Sequence, residues 1–156
     1  MKSAQPNSLN CFVCGVKNPI GLHLRFYETG PGEVTADCTV PEQYQGYPGI
    51  VHGGVVAAIL DEIAGRTLMG AEDSPRFMFT GRLDIRYRKN VPVCTPLRLV
   101  GRVSVTRRRT ATASSAIYDQ DGRLLADAEA LLVDVPREMI QNSDLEALGW
   151  RVYPEE

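Results

Sequence analysis

Apolar and polar residues alternate along much of this chain, and the alternation fails at one place. "LHLRFYE" (22–28) and "EVTADCTV" (33–40) put apolar side chains at nearly every second position, with "TGPG" between them. Period-two runs flanking a Gly/Pro turn predict a β-hairpin. "FMFTGRLDIRYRKN" (77–90) carries Leu83, Ile85 and Tyr87 at the same period. "LRLVGRVSVTRRR" and "TATASSAIYDQDG" alternate again, the second closing on an Asp121-Gly122 turn. "RLLADAEALLVDV" (123–135) has the Ala and Leu content of a helix. It follows a hairpin turn and stops at Pro136, so it reads as a strand.

The exception is "IVHGGVVAAILDEIAG" (50–65), whose apolar run continues to about Met69. A run this long predicts a helix, and one apolar almost all round predicts burial. "GAEDSPR" (70–76) ends it. Beyond Pro136, "REMIQNSDLEALGW" predicts one or two short helical turns, with Ser143 as a candidate cap. Two strands, a long helix and four strands give an α+β fold, an antiparallel sheet of about six strands around one central helix. The 156 residues suit one domain. Residues 1–10 are expected to be a mobile tail, 11–136 the domain, and 137–156 a partly helical C-terminal extension.

Glycines weaken a helix and carboxylates sit poorly in an apolar one. His52-Gly53-Gly54 at its start and Asp61-Glu62 in its middle therefore need a reason. The first N–H groups of a helix lack intrahelical partners, and its dipole favours negative charge there. Glycine lets a ligand approach that backbone, which suits charge developing on a carbonyl under attack. His52 is placed to hold the turn or to help bind the carbonyl. Tight packing at the glycines and a satisfied core histidine are the plainer alternatives.

Asp61 lies seven residues beyond Gly54, on the same face but about 10 Å along the axis. An attacking group must come within about 3 Å of its carbonyl, so one helix cannot easily supply both parts. Two antiparallel copies can, which predicts a two-fold dimer with sites across its interface. Glu62, turned about 100° away, belongs to another environment. An exposed acid paired to an arginine is the alternative for Asp61.

Composition narrows the classes. A net charge of −2, with 44% hydrophobic and 23% charged residues, suggests neither disorder nor a generic nucleic-acid binder. No apolar run reaches the roughly 18–20 residues of a membrane span, and the N-terminus has no apolar signal core. A cytoplasmic protein with reduced cysteines is expected. Positive charge is clustered at Arg82, Arg86, Arg88 and Lys89, and again at Arg107, Arg108 and Arg109. Solvated faces are the bland reading, and a site for ligand phosphates the sharper one. "CFVCG" (11–15) is the one stretch that looks like metal or redox chemistry. A structural zinc site usually takes four ligands, but no second pair follows, and His23, Cys38 and Cys94 stand apart. A redox pair belongs at the start of a helix, whereas a turn and strand come next. A turn or burial role is expected for the pair, and no metal.

Together these residues have a known likeness. "YQGYPGIVHGGVVAAILDEIAG" resembles the hotdog-fold acyl-CoA thioesterases, in particular the phenylacetyl-CoA thioesterase-like branch. "CFVCGVKNPIGLHLRFY", "FTGRLDIRYRKNVPVCTPL" and "DQDGRLLADAEALLV" extend the resemblance over residues 11–135. It implies a hotdog domain, a dimer or tetramer, and hydrolysis of an acyl-CoA thioester to a carboxylic acid and free CoA. Asp61 takes the place of the catalytic acid, as nucleophile or general base. Gly54 with Gly53 takes the oxyanion role, and His52 matches the motif histidine. Thr80 matches a strand hydroxyl that orients water or the acid, and Gln45 a residue that holds water or the carbonyl.

The resemblance also makes Arg86, Arg88, Lys89, Arg107, Arg108 and Arg109 candidates for coenzyme A, with Tyr44, Tyr47 and Phe79 lining the acyl pocket. No cofactor is implied, since coenzyme A belongs to the substrate. The expected partners are further copies of the chain, with neither nucleic acid nor membrane. Members often carry Pro where Asn90 stands and Gly where Cys94 stands. Two alternatives remain. A non-catalytic acyl-CoA-binding module would leave the Asp61 carboxylate without a task. An acyl-thioester hydratase would need an acid and a base at one carbon pair, and the only histidines are His23 and His52.

Overall fold

The alternating runs become strands and the apolar run becomes a helix. In a computed structural model, residues 1–70, 75–140 and 142–155 are described, without the side chains of Asn142 and Ser143. Most of the "GAEDSPR" helix break and the expected Ser143 cap thus lie outside the described residues. The elements are β1 (Ser3–Ala4), β2 (Tyr27–Gly30), β3 (Glu33–Thr39), α1 (Gly53–Gly65) and β4 (Met78–Tyr87). They continue with β5 (Pro96–Thr106), β6 (Thr110–Tyr118), β7 (Leu124–Asp134) and α2 (Asn142–Ala147). Among the described residues the strands form one seven-stranded sheet in the order β1-β2-β3-β5-β6-β7-β4, with antiparallel neighbours throughout.

α1 packs against β4, β5, β6 and β7. Val56, Ile59, Leu60, Ile63 and Ala64 are its buried residues, a stripe at i, i+3, i+4, i+7 and i+8. They meet Val34, Leu97, Leu99, Ile117 and Leu125 from the sheet. Each fully buried Ile or Leu contributes about 1.5–3 kcal/mol. Val55, Ala57 and Ala58, off the stripe, are only half-buried, so within one chain the helix is not enclosed all round as its sequence suggested. The far end of α1 is seated on alanines, Ala111, Ala113 and Ala130. Gly101 on β5 brings the sheet closest: a Cβ there would lie 2.6 Å from the Ile63 carbonyl oxygen.

Three expectations need correction. The first strand of the expected hairpin, β2, begins at Tyr27, not Leu22. Residues 22–24 bond instead to the cysteine segment, Leu22 N–H to the Phe12 carbonyl at 2.8 Å and Leu24 N–H to the Val13 carbonyl at 2.9 Å. The sheet has a seventh strand because residues 1–10 are not a mobile tail: β1 pairs with β2, and Gln5, Pro6, Asn7 and Ser8 are buried. Their polarity misleads because most of their polar groups find partners, although Gln5 Oε1 is buried without one. Asn7 Nδ2 donates to the Cys14 and Leu24 carbonyls at 2.7 and 2.8 Å, and the Pro6 carbonyl accepts from Arg66 at 2.9 Å. The C-terminal extension joins the same cluster. Asn7 pairs with Arg151, and Trp150 stacks near the Arg66 guanidinium, which is 1% exposed.

Cys94 adopts φ +55°, a left-handed conformation that favours glycine. Its replacement by glycine should therefore raise stability by about 1 kcal/mol, after the left-handed cost is relieved. Gly101→Ala should lower it by about 1–3 kcal/mol, because the sheet and helix must part. Urea unfolding of both variants checks these signs.

Candidate active site

The approach to α1 is built from backbone hydrogen bonds. The Tyr44 carbonyl accepts from His52 N–H at 2.9 Å, and the Val91 carbonyl from Val51 N–H at 2.8 Å. Gln45 Oε1 accepts the Gly49 N–H at 3.0 Å, and Gly49 has the φ of +79° that glycine tolerates. This loop delivers His52 to the N-cap, where its Nδ1 accepts the Gly54 N–H at 2.9 Å. A neutral imidazole accepting on Nδ1 carries its proton on Nε2, so His52 retains one N–H donor. A Cβ on Gly54 would lie 3.2 Å from that Nδ1, so glycine makes room for the capping ring.

The end of β4 completes this region. Tyr87 Oη donates to the Gly53 carbonyl at 2.7 Å. A cavity of about 540 Å³ opens here, with Tyr47, Ile50, His52, Gly53, Tyr87 and Lys89 among its walls. Arg88 also lines it and is paired with Asp127 at 2.6 and 3.2 Å. That hydrogen-bonded carboxylate raises the Arg88 pKa above its ordinary value. The helix N-terminus, Arg88 and Lys89 make this rim favourable to anions.

Asp61 stands two turns along α1, half-buried, and Thr80 Oγ1 donates to its Oδ1 at 2.5 Å. The β4–β7 register shifts between Thr80 and Arg82, a bulge at Gly81 of the kind that re-aims neighbouring side chains. Asp61 and the His52-Gly53-Gly54 turn are about 10 Å apart along the helix axis.

Other candidates disperse. Arg86 is exposed on β4, near the cavity end. Arg107, Arg108 and Arg109 occupy the β5–β6 turn, where the Arg109 carbonyl accepts from Asp134 N–H at 2.9 Å. Asp134 pairs with Met78, at the other end of β4 from Tyr87 and about 30 Å away. The two basic clusters therefore do not meet within one chain. Phe79 lies not in the cavity but in a groove with Met139 and Leu148. Tyr44 is structural, its hydroxyl donating to the Ile20 carbonyl and its ring edge-on to Phe12.

Residues 48–126, just over half the chain, match the model of the thioesterase superfamily. This chain belongs to that superfamily. It is 31% identical over 134 residues to acyl-coenzyme A thioesterase THEM4 of Rattus norvegicus, covering 85% of this chain and 56% of that protein. The chain thus spans little more than half the length of this relative. It is similar to the solved structure of the thioesterase superfamily protein RHA08564, with a TM-score of 0.73 and 30% identity, covering 81% of this chain and 61% of that one. Streptococcus mutans smu.793 bound to acetyl-CoA matches with a TM-score of 0.65 and 20% identity, over 73% of this chain and 90% of that one. A hypothetical thioesterase of Streptococcus pneumoniae solved with coenzyme A gives 0.65 and 21% over the same shares. The hotdog fold expected from the sequence is the fold observed. No described helix is long and apolar enough to cross a membrane.

Sequence reasoning overlooked Tyr87 and Asp127 in this thioesterase superfamily chain. Tyr87 falls in step with Leu83 and Ile85, and its only signal was a phenol at the strand's end beside Arg88 and Lys89. Asp127 gave none, because its partner is 39 residues away. His52→Ala should remove the cap and lower stability by about 1 kcal/mol, measured by chemical denaturation.

Proposed function

We propose that this chain is an acyl-CoA thioesterase of the phenylacetyl-CoA thioesterase-like branch, acting as a homodimer or a dimer of dimers. The Thr80–Asp61 hydrogen bond carries the reading: a strand hydroxyl fixes the direction of a half-buried carboxylate on the motif helix. The name of the rat relative and the acetyl-CoA and CoA in two similar structures support the substrate class. β4 is an edge strand that exposes Phe79 and Tyr87, a surface suited to pairing with a second copy. Antiparallel pairing there would carry the partner's helix N-terminus toward Asp61.

In this mechanism Asp61 either attacks the thioester carbonyl or takes a proton from the water that does. The tetrahedral oxyanion rests on the Gly53 and Gly54 N–H groups, the latter shared with His52 Nδ1, and on His52 Nε2–H. On the general-base route, collapse breaks the C–S bond, and the proton held by Asp61 passes to the departing CoA sulfur. On the nucleophilic route, CoA leaves as the thiolate and takes a proton from solvent; water then hydrolyses the acyl-Asp61 anhydride, releasing the acid and restoring the carboxylate. Gln45 keeps the turn in shape. Arg86, Arg88 and Lys89 hold CoA phosphates, while Arg107, Arg108 and Arg109 reach a site only from another subunit. One observation favours a binding module instead: the Gly54 N–H is already engaged by His52.

Thiol release from a panel of aromatic and aliphatic acyl-CoAs separates the two. Asp61→Asn should lower kcat by about a hundredfold or more while CoA still binds. Thr80→Val should lower kcat by about tenfold with KM little changed, the cost of one hydrogen bond to a charged group. Lys89→Ala should raise KM roughly fivefold, equivalent to about 1 kcal/mol. Full turnover by Asp61→Asn would end its catalytic assignment, and CoA-ester binding without turnover by the wild type would favour the module.

A further inference from the structure

We propose that Cys11, Cys14 and Glu62 form a binding site for one divalent cation of the zinc class, separate from the Asp61 site. The sequence offered two ligands and no more. The fold adds the third from α1: both sulfurs and a Glu62 carboxylate oxygen lie within 4.8 Å of one another. Cys11 Sγ stands 4.0 Å from Glu62 Oε2. Zinc binds thiolate at about 2.3 Å and carboxylate at about 2.0–2.2 Å, so tetrahedral ligand atoms sit about 3.5–3.8 Å apart. Small side-chain rotations close the difference.

The backbone is already folded around the first sulfur. Cys11 Sγ accepts the Val13 N–H at 3.3 Å and the Cys14 N–H at 3.5 Å. Two amide donors on one sulfur are what a bound thiolate uses. The turn is tight enough to require Gly15, where a Cβ would lie 2.4 Å from the Cys11 carbonyl oxygen. Glu62 is oriented from behind, its Oε1 accepting from Arg66 Nε at 2.8 Å. An outer partner of this kind fixes a carboxylate ligand.

Charge balances once the metal is bound. Without metal, the two cysteines sit beside the Glu62–Arg66 ion pair, and the hydrogen bond with Cys11 holds the Cys14 thiol below its ordinary range. With it, two thiolates and one carboxylate are offset by the divalent cation and the Arg66 guanidinium. Binding releases the protons that the two sulfurs still carry, at most one from each, and moves no electrons. Three protein ligands leave a fourth position for water. Sulfur ligands select zinc over magnesium or calcium. The site clips the cysteine segment to α1, on the face about 100° round from Asp61.

The full chain, purified under reducing conditions, stripped with chelator and then desalted after zinc loading, should retain one zinc per chain by elemental mass spectrometry. Cobalt loading should give thiolate-to-cobalt charge-transfer bands. Cys11→Ser and Cys14→Ser should each retain less than about a tenth of that metal, since a lost ligand removes most of the affinity. Glu62→Gln should weaken zinc binding by about tenfold or more. Cys94→Ser, whose thiol lies outside the cluster, should load like the wild type. Circular dichroism confirms folding, and half-exposed Cys11 provides the test should Cys14→Ser misfold.

Equal retention by the wild type and Cys11→Ser would mean adventitious binding and overturn the site. So would free Cys11 and Cys14 thiols that take up no zinc, or a Cys11–Cys14 disulfide, seen by peptide mapping as a fragment carrying both residues and two hydrogens lighter. Unchanged affinity in Glu62→Gln would remove the carboxylate and with it this ligand set.

Discussion

A helix packed into a protein interior cannot leave a carboxylate without a partner, and α1 carries two in succession. Consecutive residues point about 100° apart, so Asp61 and Glu62 must be satisfied by different neighbours. Asp61 receives a hydroxyl from the edge strand β4, and Glu62 receives Arg66 one turn further along its own helix. The edge-strand side of the helix is thereby committed to polar chemistry and the other to scaffolding. Arg66 passes that constraint outward. Its guanidinium is buried over Phe26 and near Trp150, and it donates to the Pro6 carbonyl, so both ends of the chain are gathered against α1. An ion pair of this kind adds little net stability over well-packed apolar groups, but it strongly penalises any arrangement that separates its members.

The start of α1 answers to a different constraint. A capping imidazole needs space above the first turn, and the small residue at position 54 provides it. The same absence of a side chain opens the backbone to a ligand. Packing and ligand access are therefore not rival explanations of the two glycines, because one geometry satisfies both. The cap does set a condition, since an N–H bonded to His52 Nδ1 must be shared before it serves an oxyanion. Tyr87 fixes the other side of the turn through the Gly53 carbonyl, and the peptide is held at both ends.

The long strands were legible because one face of β5, β6 and β7 is buried, and Leu83 and Ile85 of the edge strand β4 are half-buried, which writes period two into the sequence. Even the Ala- and Leu-rich β7 was readable from its flanking turn and proline. The motif helix and its acid were legible for the same local reasons, aided by the family resemblance. What escaped was long-range polar pairing. Residues 1–10 look like a solvated tail until Asn7 meets the carbonyls of Cys14 and Leu24. Cys11 and Cys14 look isolated until α1 brings Glu62 from 51 positions away. The two basic clusters are both candidates for phosphates until the sheet order sets them at opposite ends of β4. None of these has a periodicity, so none leaves a pattern.

The spacing on α1 bears on assembly. A helix holds its own residues at fixed separation, and no rotamer change brings a carboxylate two turns along within attacking distance of a carbonyl held at its N-terminus. If the acid and the N–H donors act on one substrate, they must come from two helices. Among the described residues α1 is the only long helix, so the second must belong to another copy. β4 lies at the sheet edge and bears the Asp61 partner Thr80. A two-fold axis beside that edge would turn the separation along one helix into proximity between two, and would make two identical sites at once.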